Sequence, residues 1–143
     1  MKTIWKHKFT IDDLNDFTRN SIVGYIGIIF TEKGNDFLRG TMPVDKKTIQ
    51  PHGILHGGAS VVLAETLGSS ASAMVVDDMH YSVGLEVNAN HIKSVTKGIV
   101  TGTARPVHLG NTTQVWDIMI KNEKNQLTCI SRLTMAVLKN QNY

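Results

Sequence analysis

Apolar and polar residues alternate through the second half of the chain, and the alternation predicts strands. In Thr113–Lys121, Gln114, Trp116, Ile118 and Ile120 fall on one face, and Val115, Asp117, Met119 and Lys121 on the other. Leu127–Leu138 repeats the pattern, with Leu127, Cys129, Leu133, Met135 and Val137 sharing a face that Ser131 interrupts. Tyr81–Lys93 and Gly98–His108 read as two more strands, and the polar run "NEKNQ" supplies the turn between the last two. Nearer the start, Gly24–Phe30 and Asp36–Val44 read as strands joined by a hairpin turn at "TEKGN". The pattern changes from Gly57 or Gly58 to about Val76. Nearly every position there is apolar or small, which predicts one long helix covered on most sides, ended by "DDMH". Thr10 followed by "IDDLNDF" predicts a short helix, with Thr10 as its cap and Asp12 and Asp13 at its positive end. Asp45–Leu55 carries Pro51 and Gly53 and reads as a loop. Short turns demand antiparallel neighbours. The expected architecture is α+β: an antiparallel sheet of about six strands wrapped around one long central helix, in a single domain over residues 1–143.

Composition narrows the classes of function. A chain of 143 residues holds one domain with a moderate core. The net charge of +3 is spread without a block of like charge, which argues against a nucleic-acid partner and suits a small anionic ligand. The single cysteine, Cys129, excludes an internal disulfide and fits a buried strand residue in a reducing compartment. The opening "MKTIWKHKFTIDDLND" has no apolar core of signal-peptide length, so a cytoplasmic location is expected. Gly53–Val76 is long enough to span a membrane. It carries Glu65 at its centre and is rich in Gly, Ala and Ser, so a core helix is the better reading.

Glu65 is the only charged residue from Gly57 to Val76. A carboxylate in an apolar core is costly unless it has a partner or a purpose. Ser69, four positions on, shares its helix face. "HGG" opens the helix, where free backbone N–H groups form a site for an oxyanion or a polarised carbonyl. Gln50 and His56 stand in the loop leading to that terminus. His52 and His56 have a spacing that on a helix would suit a metal pair, but Pro51, Gly53 and Gly57 make the stretch a loop, so no metal site is expected. There is no phosphate loop, dinucleotide fingerprint or Gly-x-Ser-x-Gly elbow.

On "QPHGILHGGASVVLAETLGS", "GTMPVD", "VGLEVNANHIKS", "PVHLGNTTQVWDI" and "SRLTMAVL" the chain resembles the hotdog-fold acyl-CoA thioesterases. It is most similar to the branch that hydrolyses 1,4-dihydroxy-2-naphthoyl-CoA in menaquinone and phylloquinone synthesis. The proofreading thioesterase of enterobactin synthesis forms the sister branch. The resemblance implies that Glu65 is the catalytic carboxylate, as nucleophile or as general base on water. It implies that the Gly57 N–H polarises the thioester carbonyl, that Gln50 and His56 orient the carbonyl or the water, and that Ser69 assists the acid. His91, Lys93 and Ser94, with His108 and Gly110 nearby, would meet the coenzyme A phosphates. Relatives often carry a basic residue just after "HLG", where this chain has Asn111 and Thr112. No cofactor is implied beyond the coenzyme A of the substrate.

Gly57 and Glu65 are eight positions apart. On one helix that is about 12 Å of rise, too far for both to reach one carbonyl. The expected assembly is a homodimer with shared active sites, doubled into a dimer-of-dimers tetramer. The acyl group stays open, as do two other readings: hydrolysis of aryl groups misloaded on a carrier protein, and a non-catalytic module that binds acyl-CoA.

Overall fold

The computed structural model describes residues 2–140. Two short helices, α1 (Ile11–Thr18) and α2 (Ile22–Tyr25), precede a hairpin of β1 (Ile29–Lys33) and β2 (Leu38–Val44). The long helix α3 (Gly57–Val75) follows, then β3 (His80–His91), β4 (Gly98–Leu109), β5 (Thr113–Asn122) and β6 (Leu127–Lys139). The strands form one sheet in the order β1-β2-β4-β5-β6-β3, with every neighbouring pair antiparallel.

Helix α1 starts where its sequence signals it. Thr10 Oγ1 accepts from the Asp13 N–H at 3.1 Å while the Asp13 carboxylate accepts from the Thr10 N–H at 2.8 Å. A reciprocal cap of this kind satisfies two N–H groups that the helix start leaves without partners. Helix α3 lies across one face of the sheet, with Leu63, Ala64, Leu67 and Ala71 fully buried against it. The approach is close because glycines stand at the contact. A Cβ on Gly102 would fall 2.6 Å from Leu67 Cδ1, and one on Gly68 would fall 2.6 Å from Leu133 Cδ2. The far end of α3 is tied down: the Lys6 and His7 N–H groups both donate to the Met74 carbonyl, at 3.0 and 3.3 Å. They satisfy a terminal carbonyl that the helix cannot.

Gln114 and Ser131, on inner strand faces, are paired, whereas Ser82 Oγ of β3 is buried with no hydrogen-bond partner among the described residues. Gln114 Oε1 accepts from Ser72 Oγ at 2.7 Å and from Trp116 Nε1 at 3.1 Å. Ser131, which interrupts the apolar face of β6, donates to the Asn88 carbonyl at 2.7 Å.

The structure corrects four expectations. Gly24 and Tyr25 are helical, and the strand begins only at Ile29. Ser21 caps the turn by accepting from the Val23 N–H, and Gly27 leaves it with φ of 78°. The alternation of Ile26, Ile28 and Phe30 is nevertheless real, since all three are buried. The turn lies at residues 34–37, closed by the Gly34 N–H on the Phe37 carbonyl, so Thr31, Glu32 and Lys33 belong to β1 and β2 starts at Leu38. Polar residues on an exposed edge strand imitate a turn. Third, Glu65 is exposed. Its helix face is flanked by Ile22 of α2 and Gly84 of β3 but left open to solvent, so the acid is not a core residue of the single subunit. Fourth, His108 and Gly110 do not lie near His91, Lys93 and Ser94 within one chain. Strand β4 begins beside the second group and ends at the first, 12 residues later, and that many strand residues span about 36 Å.

Candidate active site

The start of α3 gathers hydrogen-bond donors. His56 is the N-cap, and its Nδ1 accepts from the Gly58 N–H at 2.8 Å. An accepting Nδ1 carries no proton, so the neutral ring holds its proton on Nε2. Its backbone N–H donates to the Thr48 carbonyl at 2.8 Å, which ties the start of α3 to the turn that follows β2. Gln50 is held by two backbone bonds, from its N–H to the Ile54 carbonyl and from the Gly53 N–H to its carbonyl, each 2.9 Å. Its side-chain Oε1 accepts from the His52 N–H, which leaves the amide nitrogen as the free donor. The Gly57 N–H, first in the helix, has no acceptor among the described residues.

A cavity of about 260 Å³ opens at this terminus, and Gln50, Gly57, His91, Lys93 and Ser94 line it. The strand and loop that carry the last three reach it because the Leu55 N–H donates to the Val95 carbonyl at 2.7 Å. His91 lies close: a Cβ on Gly57 would fall 2.6 Å from His91 Nε2. Glycine at 57 therefore leaves the imidazole room beside the free N–H. Lys93 and Ser94 are exposed at the rim.

Glu65 faces a separate hollow of about 370 Å³, which Ile22, Val62, Thr66 and Ser69 also line. The carboxylate has no ion pair or hydrogen bond among the described residues, and none joins it to Ser69. Its nearest strand is β3, where Gly84 lies beside Oε1. One face of the chain thus presents a free acid and, about 12 Å away along the helix, a free donor cluster.

The remaining two residues sit beyond the opposite end of α3. The His108 ring folds over Gly110, whose Cβ would fall 2.5 Å from Nε2. Gly110 lines a cavity of about 470 Å³ with Lys6, His80, Asn111 and Gln114. The His80 ring, 2.6 Å from Asp77, holds that carboxyl below the usual carboxylate range. Among the described residues no three His, Cys, Asp or Glu side chains gather to hold a metal ion, and no helix is long and apolar enough to cross a membrane. Sequence reading missed the neighbours that other elements bring: Ile22 and Gly84 beside Glu65, and Lys6, His80 and Gln114 at the far cavity. Only the glycine within an alternating run could have flagged one of them.

A six-stranded antiparallel sheet that cradles one long helix is the hotdog architecture, and comparison with known proteins agrees. Residues 52–129 match the model of the thioesterase superfamily, and the chain belongs to that family of hydrolases. It is 50% identical over 135 residues to the 1,4-dihydroxy-2-naphthoyl-CoA hydrolase of Escherichia coli, covering 94% of this chain and 99% of the relative. It is 45% identical over 135 residues to the proofreading thioesterase EntH of Cronobacter sakazakii, covering 94% of this chain and 98% of the other. The crystal structure of a thioesterase from Haemophilus influenzae superposes with a TM-score of 0.95 at 45% identity, covering 99% of this chain and all of that one.

Proposed function

We propose that the protein hydrolyses an aromatic acyl-CoA, with 1,4-dihydroxy-2-naphthoyl-CoA as its substrate, in a site that two copies of the chain build together in the cytoplasm. The observation that carries this reading is the separation on α3 between the unpaired Glu65 carboxylate and the unpaired Gly57 N–H. Two α3 helices lying side by side and antiparallel bring the Glu65 of one chain to the Gly57 of the other.

The sheet supports the same assembly. Strand β3 is an edge of 12 residues with exposed apolar side chains, Leu85 being 63% exposed. Long apolar edges are rarely left unpaired. If β3 pairs antiparallel with its copy across a two-fold axis, the His91–Ser94 end of one strand meets the His80 end of the other. The separated coenzyme A residues then converge: the partner subunit's Lys93 and Ser94 face His108 and Gly110 of this chain. Paired dimers assemble further into a tetramer.

In such a site the thioester oxygen lies at the start of α3, where the Gly57 N–H, His56 Nε2–H and Gln50 amide supply donors. These donors stabilise the negative charge that develops on the oxygen. Glu65 of the other chain either removes a proton from water as the water attacks the carbonyl carbon, or attacks that carbon itself and is freed by water afterwards. The C–S bond breaks, the sulfur takes up the proton, and the products are the carboxylic acid and coenzyme A. Ser69 steadies the acid or its water. The chemistry needs no cofactor beyond the coenzyme A of the substrate. The relationship to EntH supports a second reading, in which an aryl group on a carrier protein is the substrate.

Glu65→Gln tests the assignment. Turnover of naphthoyl-CoA should fall at least about 10³-fold, with the melting temperature unchanged because the acid has no partner in the chain. Near-normal kcat would remove Glu65 from the mechanism. Parallel rates on benzoyl-CoA and on a carrier-bound benzoyl thioester separate the two substrates.

A further inference from the structure

The edge strand β3 brings Gly84 beside Glu65. A Cβ built on Gly84 would fall 3.1 Å from Glu65 Oε1, closer than side-chain carbons normally approach an oxygen. The next atom, Met135 Sδ, is 4.0 Å away at ordinary contact distance. Backbone geometry does not explain the glycine. The residues with left-handed φ are Gly27, Gly53, Gly98 and Asn125, and Gly84 is not among them. Any residue could adopt its backbone, and a glycine inside a strand weakens it. Among the described residues, the one group that a Cβ at 84 would crowd is the carboxylate.

The β3–β6 register shifts immediately after Gly84. Gly84 pairs with Met135 and Glu86 with Thr134, which leaves Leu85 as an extra residue. The shift changes which positions face the helix. Before it Gly84 faces Glu65; after it Val87 and Ala89 pack against the core. Glu86 is turned outward, where its carboxylate accepts from Asn88 Nδ2 at 3.2 Å. Without the extra residue Glu86 would share the face of Gly84 and bring a second carboxylate toward Glu65. Like charges so placed oppose each other's ionisation. Bulges commonly re-aim side chains beside active sites.

We infer that Gly84 and the bulge after it position the Glu65 carboxylate, Gly84 by withholding a side chain and the bulge by turning Glu86 away. Gly84 is a positioning residue, acting through Glu65 rather than on the substrate. The inference rests on the reading of Glu65 as the catalytic acid. A methyl at 84 displaces Oε1 by a few tenths of an ångström, and a branched side chain displaces it further. A misplacement of about 1 Å costs roughly 10²-fold in rate.

The test measures kcat and KM of Gly84→Ala and Gly84→Val on benzoyl-CoA and naphthoyl-CoA, with a thermal melt and a sedimentation run on each variant. The expected result is a kcat lowered about threefold to tenfold in Gly84→Ala and about 10²-fold in Gly84→Val. The factor should be the same for both thioesters, with KM within about twofold and the melt and assembly unchanged. A kcat that stays normal in Gly84→Val overturns the inference. So does a loss that grows with the second ring, because the space then belongs to the acyl group. Failure of Gly84→Ala to fold or assemble overturns it too, because the space is then needed by the backbone. Glu65→Gln run alongside keeps the two readings apart: if it retains turnover, the catalytic assignment fails whatever Gly84 does.

Discussion

The two edges of the sheet have been treated in opposite ways. Strand β1 is 5 residues long, carries Glu32 and Lys33, and shifts register between Phe30 and Glu32. Its outer side is also occupied by a side chain. Asn15 of α1 donates from Nδ2 to the Phe30 carbonyl at 3.0 Å and accepts at Oδ1 from the Phe30 N–H at 2.8 Å. One amide thus imitates a neighbouring strand. Strand β3 has 12 residues, and Tyr81, Val83 and Leu85 are 44%, 39% and 63% exposed. No side chain caps its outer edge in a comparable way among the described residues. Both edges carry a bulge, but a short, charged and capped edge is closed to pairing, whereas a long and largely apolar one invites it. The contrast indicates which edge a second copy takes, and the free groups of α3 lie on that same side of the molecule.

The strongest test of the contrast is to close the open edge. Val83→Lys with Leu85→Lys places like charges near each other across a β3–β3 pair, where they repel. Sedimentation should show monomers, and turnover should fall about 10²-fold or more because each site loses half of its groups, while far-UV circular dichroism stays unchanged. A dimer of undiminished activity would show that β3 is not the interface.

Complementation sharpens the point with a smaller expected signal. Glu65→Ala and His56→Ala are each nearly inactive if both residues serve one site. After co-refolding an equal mixture, about half of the dimers are mixed, and each mixed dimer has one intact site of two. Activity should recover to roughly a quarter of the unmodified protein. Mixed dimers no more active than the mean of the two variants would place the whole site within one chain.

The closed edge should yield the smallest effect. Asn15→Ala removes both bonds to Phe30 and should cost about 1 kcal/mol of stability in urea unfolding, with assembly and kcat unchanged. Loss of dimer or of turnover would mean that β1, not β3, carries the interface.

How much of this was written in the chain differs by element. The strands over 113–121 and 127–138 were legible because one face of each is buried, and alternation records burial directly. Helix α1 was legible from its cap, and α3 from its length and its lack of polar positions. The same logic failed at residues 24–33. Polar residues on the exposed β1 edge looked like a turn, and Ser21 started a helical turn that the alternation hides. The candidate donors at the start of α3 were also legible, because Gln50, His56 and Gly57 are neighbours along the chain and a helix start always leaves N–H groups free.

Contacts between elements were not legible. Nothing in the spacing places β3 beside β6 at the sheet edge, His91 against Gly57, or Gly84 against Glu65. Glu65 shows the limit most clearly. Its apolar flanks made it look buried, yet in the single chain it is exposed, because periodicity reports that a face avoids water without saying which molecule covers it. Local pattern carries the backbone's own preferences and the burial of each position. Strand order, edge exposure and the meeting of distant side chains depend on how the pieces pack, and packing is a property of surfaces that no short window of sequence contains.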